Sequence, residues 1–427
     1  MKAGTAQVCI TPPVGIELSG YVDRRQPSVG VHDDLYARGL YLEEGEERLL
    51  WLHCDLIGFV REWVCILRKR LAAELGLEER QIILSATHTH AGPATLPLRH
   101  CGRMDEVYLE ELEHRLLNAA RVAAADPEPV VLRCGEGQCT LGRDRRTPSI
   151  HSHVDERVPV LAFLRQDGGF LALVANYAVH NVALSYENRL ISADMAGVAA
   201  ELARQQLPGK PIVLMTNGGC ANIQPRQVSP DPTLMQRQGR ELGDVIVRTA
   251  EAGQPCSAPG LATAMEALEL PLAVHSREAI LREYESSWGR LPEDSPWRGA
   301  IREWRDETLS LLERGAPSSV VTDLQVLHIG PLSLVAMGAE VFSRMAGELR
   351  AAHRPQTYVV GYANGDLGYL PFREIYDEGG YEVDMAYKFY ANFMIAPGAY
   401  EMLRDRAVEL LHAIKDPGVL SLHRSWH

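Results

Sequence analysis

The chain has 427 residues, 46% of them hydrophobic and 23% charged, a composition typical of a folded globular protein. Its 56 acidic and 43 basic residues leave a net charge of −13, which argues against general binding to nucleic acid or to an anionic membrane surface. No stretch approaches the ~20 apolar residues of a membrane helix, and the N-terminus lacks a signal-peptide core. The eight cysteines are scattered without a CxxC pair, so we expect reduced thiols and a cytoplasmic protein.

The N-terminal part of the chain predicts a βαβ unit. Residues 1–30 are rich in proline and glycine turns and predict loops. Apolar patterns predict strands over 35–42 and 48–54, a helix over 59–75 that ends at Gly76, and a strand that begins at Gln81. Strand, helix and strand in this order imply a parallel pair with a right-handed crossover.

The rest of the chain continues to alternate strands and helices. The predicted elements are a helix over 106–125, strands over 130–133, 157–165 and 170–177, a helix ending at 206, a strand over 212–215, a helix over 234–252, strands over 262–272, 320–329 and 332–337, a helix over 342–352, a strand over 357–360 and a helix over 400–414. We expect an α/β fold in which mixed central β-sheets are flanked by helices. Residues 1–427 form one domain in this prediction, with a helical excursion at 276–315 that either covers the functional site or is a plain structural insertion.

Two histidines follow the strand that begins at Gln81, in the sequence SATHTHAGP. His88 and His90 are two residues apart, so on an extended chain they face the same side. The pair could share a metal, or one histidine could bind a metal while the other acts on substrate. The alternative is a pair of hydrogen-bonded loop histidines.

Other predicted strands also end in polar residues, namely His180, Asn222, Glu340 and Tyr369. Taken singly, each has an ordinary structural explanation. His180 is typical of a core histidine, Glu340 of the acidic first turn of a helix, and Tyr369 of a packed aromatic. Ligands in α/β proteins bind beyond the carboxyl ends of strands, so their joint occurrence there favours one site.

Five motifs occur in an order that resembles the catalytic domain of the neutral (non-lysosomal) ceramidase family. They are SATHTHAGP at 85–93, NYAVH at 176–180, ISADMAG at 191–197, GAEVF at 338–342 and GYANGDLGY at 361–369. The resemblance implies the fold of that catalytic domain, in a short family member without an appended β-sandwich. It also implies hydrolysis of an amide bond with one zinc ion per chain.

By the same resemblance, the zinc ligands are His88, His180, Glu340 and Tyr369. His90 and Arg143 are then the residues that hold the substrate carbonyl oxygen. This chemistry is coherent, since zinc takes nitrogen and oxygen ligands and keeps an open position for water. A cation opposite the metal stabilises the developing oxyanion.

The substrate is less clearly indicated. The loop at 219–225 lacks the serine found at this place in the family. Asn222 and three arginines, Arg24, Arg145 and Arg226, lie in loops expected around the site and predict binding of a small, polar, soluble N-acyl compound rather than long-chain ceramide. We expect no nucleic acid and no membrane insertion, and a homo-oligomer stays open. The alternatives are hydrolysis of an ester, lactone, glycosidic or phosphate bond on the same scaffold, or a metal-bound binding protein without activity.

Overall fold

The computed structural model describes residues 1–146, 149–256, 260–390 and 393–414. The strands of these residues are β1 Lys2–Cys9, β2 Gly30–Val31, β3 Tyr36–Glu44, β4 Glu47–Cys54, β5 Ile82–Ala86, β6 Glu128–Gln138, β7 Gly142–Asp144, β8 Arg157–Arg165, β9 Phe170–Tyr177, β10 Leu190–Ile191, β11 Ile212–Asn217, β12 Ile223–Pro225, β13 Gln254–Pro255, β14 Leu261–Ala273, β15 Ser319–Ile329, β16 Leu332–Met337, β17 Glu340–Val341, β18 Thr357–Val360, β19 Tyr369–Leu370 and β20 Met394–Ile395. The helices are α1 Arg61–Leu75, α2 Glu106–Ala125, α3 Asp194–Gln206, α4 Pro232–Ala252, α5 Arg277–Arg290, α6 Trp297–Gly315, α7 Arg344–Ala352, α8 Ile375–Glu378 and α9 Ala399–Ala413.

Two mixed sheets and two groups of helices form four layers. The larger sheet has the order β11-β9-β8-β6-β1-β3-β4-β5, with β13 paired to β6, and the smaller has the order β18-β16-β15-β14-β20. Helices α1 to α4 pack on one face of the larger sheet, and α7 and α9 pack on one face of the smaller. The remaining faces of the two sheets pack against each other. This arrangement confirms the predicted fold class of mixed central sheets flanked by helices.

Successive side chains of β4 point alternately into the two cores on either side of the larger sheet. Along β4, Leu50 and Leu52 enter the helix-side core, whereas Leu49 and Trp51 enter the core between the sheets. All four are fully buried. Since neighbouring residues of a strand point to opposite faces, a continuous apolar run is needed wherever both faces are buried.

The helix ends follow local sequence signals. Asp105 caps α2 by accepting a hydrogen bond from the Tyr108 N–H at 2.9 Å, and Asp231 caps α4 through the Thr233 N–H at 2.9 Å. Gly76 ends α1 in the left-handed conformation, with φ 64°. A residue without Cβ adopts that conformation at little cost, so the predicted end of this helix is confirmed.

The two edges of the larger sheet lie close together, which matters for the site. The imidazole of His53 on β4 contacts Ser85 Oγ of β5 at 2.9 Å and the Met215 carbonyl of β11 at 3.0 Å. The segment after β18 also joins both edges, because Gly361 N donates to the Asn217 carbonyl at 2.9 Å and Ala86 N donates to the Tyr362 carbonyl at 3.2 Å. The ends of strands that are far apart in the sheet order are thereby neighbours in space.

An ion-pair network ties α1 to the smaller sheet. Asp323 on β15 accepts hydrogen bonds from Arg61 at 2.7 Å and from Arg68 at 2.8 Å. Arg68 and Asp323 are both about 1–2% exposed, and α1 packs on the larger sheet. The network therefore fixes the position of one layer relative to the other.

The structure differs from the sequence prediction mainly at the N-terminus. Residues 1–30 were expected to be loops, but Lys2–Cys9 forms a strand between β3 and β6. The short side chains of Ala3, Gly4 and Ala6 conceal its strand character, and long-range pairing decides the outcome. The predicted excursion at 276–315 contains α5 and α6. Among the described residues, no helix has the length and apolar character needed to cross a membrane.

Candidate functional site

Five polar side chains meet where the strand ends converge. His88 and His90 follow β5, His180 follows β9, Glu340 opens β17, and Tyr362 follows β18. The Nε2 atoms of His88 and His90 are 3.2 Å apart. Oε2 of Glu340 lies 3.0 Å from His180 Nε2 and 3.7 Å from His88 Nε2. Within the described residues, the three imidazoles each offer a nitrogen within 4.8 Å of the others.

The backbone at this cluster is strained. His88 and Tyr362 have φ values of 57° and 53°, the left-handed region that residues with a Cβ rarely adopt. Their rings nonetheless stack with centroids 3.9 Å apart. Such conformations persist only where surrounding contacts enforce them, and they concentrate at functional sites.

Two of the three histidines are oriented by backbone carbonyls. Nδ1 of His88 contacts the Ile57 carbonyl at 2.6 Å, and Nδ1 of His180 contacts the Cys220 carbonyl at 2.7 Å. Because a carbonyl oxygen only accepts, each Nδ1 carries a proton, and each Nε2 faces the carboxylate of Glu340. The Nδ1 atom of His90 is buried and has no hydrogen-bond partner among the described residues. His88 and His180 therefore share an orientation typical of metal ligands, whereas His90 does not.

The residues of the cluster differ in the direction in which the protein shifts their pKa values. Burial lowers the pKa of His88 to about 4 and that of His90 well below its usual value. For Glu340, burial opposes ionisation, but the hydrogen bond from His180 and the nearby imidazoles lower the pKa to about 2. For His180, burial acts to lower the pKa, but Cys220 and Glu340 outweigh it and raise the pKa to about 10. His180 and Glu340 thus form a buried pair that holds a proton between His180 Nε2 and Glu340 Oε2.

The donor set fits a divalent zinc ion. The Nε2 atoms of His88 and His180 and the Glu340 carboxylate supply nitrogen and oxygen donors from three strand ends, a combination found in catalytic zinc sites. The carbonyls behind the two imidazoles supply the outer contacts that such sites use. These residues would hold the metal.

Three tyrosines surround Glu340. The hydroxyl of Tyr362 is 3.4 Å from Glu340 Oε2, and the hydroxyl of Tyr390 donates to Glu340 Oε1. Tyr369, the predicted fourth ligand, is the strand partner of Glu340, but its hydroxyl accepts a hydrogen bond from Arg145 at 3.1 Å. Burial raises the pKa of Tyr369 well above its usual value, although Arg145 acts in the opposite direction.

Sequence reasoning did not select Tyr362 or Tyr390 as site residues. Tyr362 lies inside the GYANGDLGY motif, directly after a strand end, so position could have indicated it. Tyr390 carries no comparable signal, because it lies in an irregular segment after β19. Only the packing of that segment brings its hydroxyl to Glu340.

Arg145 contacts Tyr369 beside the cluster. Its guanidinium donates to the Ala221 carbonyl at 2.6 Å and to Glu382 Oε1 at 2.7 Å, in addition to Tyr369. Arg143, the arginine predicted to hold the carbonyl oxygen, is exposed on β7 opposite Gln224. The structure does not bring Arg143 to the cluster, because neighbouring positions of this short strand alternate between the protein interior and solvent.

The other predicted substrate-binding residues are committed to structural contacts or lie apart. Asn222 is buried, where it donates to Asp144 at 2.8 Å and accepts from Ser343 N at 3.0 Å. Arg24 lies beneath His90 and donates to the His90 carbonyl at 2.6 Å. Arg226 is exposed, and its backbone N–H donates to the Leu141 carbonyl. Arg24 and Arg145, two of the three arginines expected around the site, therefore hydrogen-bond to protein groups.

Two cavities are lined by Arg145 and by Arg24, respectively. One of about 630 Å³ is lined by Arg145, Tyr381 and Glu382, together with charged residues on both sides of it. The second, of about 900 Å³, lies between Arg24 and the N-terminal end of α6. Both are lined mostly by charged and polar side chains. Trp297 on α6 packs against Tyr381 with ring centroids 6.4 Å apart, so α6 contacts a residue that lines the first of these cavities.

The architecture and the cluster together define an α/β protein with a candidate metal centre at converging strand ends. Residues 2–101 match the family model described as neutral/alkaline non-lysosomal ceramidase, N-terminal. The neutral ceramidase of Pseudomonas aeruginosa is 26% identical over 207 residues, which cover 43% of this chain and 30% of that protein. The neutral ceramidase of Drosophila pseudoobscura pseudoobscura is 24% identical over 293 residues, which cover 61% of this chain and 40% of that protein.

A solved structure extends the likeness to the whole fold. The crystal structure of neutral ceramidase from Pseudomonas aeruginosa superposes with a TM-score of 0.76 over 96% of this chain and 74% of that chain, at 19% identity. These matches confirm the resemblance to neutral ceramidases that the five motifs predicted. The aligned regions span well under half the length of the two curated relatives.

Proposed function

We propose that this protein is a zinc-dependent hydrolase that cleaves the amide bond of an N-acyl compound. The observation that carries the proposal is the convergence of His88 Nε2, His180 Nε2 and Glu340 Oε2 at one point, with both imidazoles oriented from behind by carbonyls. The resemblance to proteins named neutral ceramidase supports the choice of an amide as the scissile bond.

The residues around the metal position have two roles. His88, His180 and Glu340 hold the zinc ion, with Tyr369 as the predicted fourth ligand. When bound, zinc supplies a Lewis acid that makes a water nucleophilic near neutral pH and polarises a carbonyl. His90 and Arg145 face the substrate, and the guanidinium of Arg145 stabilises negative charge that develops on the carbonyl oxygen.

His90 presents its Nε2 atom to the cluster, 3.2 Å from His88 Nε2. Burial lowers the pKa of its imidazole well below the usual value, which favours the neutral ring. An N–H at Nε2 can then donate a hydrogen bond to the substrate carbonyl oxygen and stabilise the negative charge that develops there. The His90 backbone carbonyl accepts a hydrogen bond from Arg24, which fixes the position of the residue.

We further propose that the substrate is a small, polar, soluble amide rather than long-chain ceramide. Arginines with free positive charge do not supply the reason for this choice, because Arg145 and Arg146 are both paired with Glu382. The nearby cavities support the proposal instead, because each has charged side chains of both signs in its lining, such as Arg145 and Glu382 in one and Arg24 and Glu293 in the other. Such walls solvate polar groups better than two alkyl chains.

Metal content tests the first part of the proposal. Purified protein should contain about one zinc per chain, as expected for a mononuclear catalytic site, and His180→Ala should lose most of it. His114→Ala, at an exposed position on α2, is the matched control and should keep the metal. A wild-type protein without affinity for zinc, or a His180→Ala variant with full occupancy, contradicts the assignment.

A substrate panel tests the second part. The zinc-loaded enzyme is incubated with soluble N-acyl amino acids, N-acyl amino sugars, short- and long-chain ceramides and matched esters, and the products are identified by mass spectrometry. We expect turnover of a soluble amide. Preferential cleavage of long-chain ceramide would refute the substrate class, and turnover of esters alone would favour the alternative hydrolase.

A further inference from the structure

The Glu340 carboxylate is held from two directions. Its Oε2 atom lies beside the imidazoles of His180 and His88, while its Oε1 atom accepts the hydrogen bond of the Tyr390 hydroxyl. Glu340 is about 1% exposed and Tyr390 about 8%. With Oε1 engaged by a donor, the carboxylate presents only Oε2 toward the metal position.

The segment that carries Tyr390 is held by Arg99. The guanidinium of Arg99 donates to the carbonyls of Lys388 and Tyr390, and the backbone N–H of Arg99 donates to the Phe389 carbonyl at 2.8 Å. Arg99 itself is buried, and its other guanidinium nitrogens bind Glu307 on α6. A single arginine therefore links helix α6 to the backbone that places the Tyr390 hydroxyl.

The rest of the α5–α6 excursion holds the same segment. Lys388 donates to Ser287 Oγ on α5 at 3.0 Å and forms an ion pair with Glu283 at 2.8 Å. The ring of Phe389 packs edge-on against Trp297 of α6, with centroids 5.1 Å apart. Both residues that precede Tyr390 are thus anchored to the two helices.

We infer that Tyr390 is a positioning residue for the metal-ligating carboxylate of Glu340, and that the α5–α6 excursion acts as its support through Arg99. This inference rests on the proposed zinc site. It assigns the excursion a part in building the metal centre, in addition to any part in covering it. It also predicts that contacts far from the metal influence metal affinity along the path from Glu307 through Arg99 and Tyr390 to Glu340.

Zinc affinity of the metal-free protein is the decisive measurement. Apoprotein is prepared with a chelator and titrated with zinc ion in competition with a chromophoric chelator of known affinity. Removal of an outer hydrogen bond to a metal ligand typically weakens binding by about 10- to 100-fold, and we expect this loss for Tyr390→Phe. Tyr376→Phe is the matched control, because the Tyr376 hydroxyl donates to the Ile395 carbonyl, and it should bind zinc as the wild type does.

A spectroscopic signature separates positioning from general destabilisation. Cobalt(II) in place of zinc has ligand-field absorption that reports ligand geometry. Tyr390→Phe should change that spectrum, since Glu340 is then free to present both oxygens, whereas Tyr376→Phe should leave it unchanged. A wild-type cobalt spectrum and wild-type zinc affinity in Tyr390→Phe would overturn the inference.

Two exposed glutamates on α6 test the remote end of the path and keep the inference testable if Tyr390→Phe does not fold. Glu307→Ala removes the partner of Arg99 and should weaken zinc binding in the same direction but to a smaller extent. Glu303→Ala, one turn earlier on the helix, removes the partner of His100 at 3.0 Å and should have no effect. Equal zinc affinity in these two variants would refute the role of the excursion. A wild-type protein that binds no zinc would instead refute the proposed function.

Discussion

The roles of Arg145 and Arg143 can be separated by replacing each with alanine. The two residues lie two positions apart on one segment, yet Arg145 contacts Tyr369 whereas Arg143 is exposed on β7. We expect Arg145→Ala to be slow and Arg143→Ala to be close to wild type. This comparison decides between the arginine that the motif order suggested and the one that the structure places at the cluster.

The magnitude follows from the contacts that each substitution removes. Loss of one donor to a developing oxyanion costs about 10²–10³ in turnover, or about 2.7–4 kcal/mol of transition-state stabilisation. Arg145→Ala should also destabilise the fold, but by less than the ~3–5 kcal/mol of a fully broken buried ion pair, because Glu382 keeps Arg146 as a partner at 2.6 Å. Arg143→Ala should stay within about 0.5 kcal/mol of the wild type, as exposed positions do.

The assay combines turnover at saturating substrate, zinc content and a urea unfolding curve on the same preparations. Arg145→Ala should keep its zinc and its cooperative unfolding while turnover falls. Slow turnover in Arg143→Ala with normal turnover in Arg145→Ala would refute the geometric assignment. Loss of zinc from Arg145→Ala would show that the residue supports the metal through Tyr369 instead of binding substrate.

Three further predictions concern the histidines and the fold. His88→Ala should lose zinc and activity together. His90→Ala should keep its zinc, and its turnover should be about 10²–10³ slower than that of the wild type. Equal loss of zinc from both variants in a metal analysis would show that both histidines are ligands. Burial lowers the pKa of His53 to about 3, whereas the pKa in the unfolded chain is about 6.5. The free energy of unfolding should therefore fall by up to about 1.4 kcal/mol per pH unit as the pH drops from about 6.5 toward about 3. In His53→Gln, urea titrations over this pH range should show a smaller fall, and an unchanged fall would contradict the role of His53. Asp323→Ala should lower the free energy of unfolding by about 3–5 kcal/mol, because it leaves buried guanidinium groups without their carboxylate. The control Glu113→Ala removes an exposed ion pair and should lower it by under about 1 kcal/mol in the same urea titration.

The sequence by itself determined the class of fold and the region of the site. Apolar runs and helix-ending signals such as Gly76 act locally, so the pattern of β4, α1 and β5 could be predicted from them. The motifs containing His88, His180 and Glu340 each include or follow the end of a strand, and strand ends form the sites of α/β proteins. The metal, the substrate, the catalytic roles and the cytoplasmic location stay predictions, which the experiments on metal content and turnover address in part.

Tertiary structure alone decided which side chains meet. The strand at Lys2–Cys9 was missed because its stabilisation comes from pairing with β3 and β6, which are distant in sequence. Arg145 rather than Arg143 reaches the cluster because a short strand turns one side chain to solvent and the following loop turns the other inward. Tyr390 joins Glu340 only because Arg99 and the α5–α6 helices hold its segment in place. Local propensity cannot encode such contacts, since they depend on packing between parts of the chain up to about 290 residues apart.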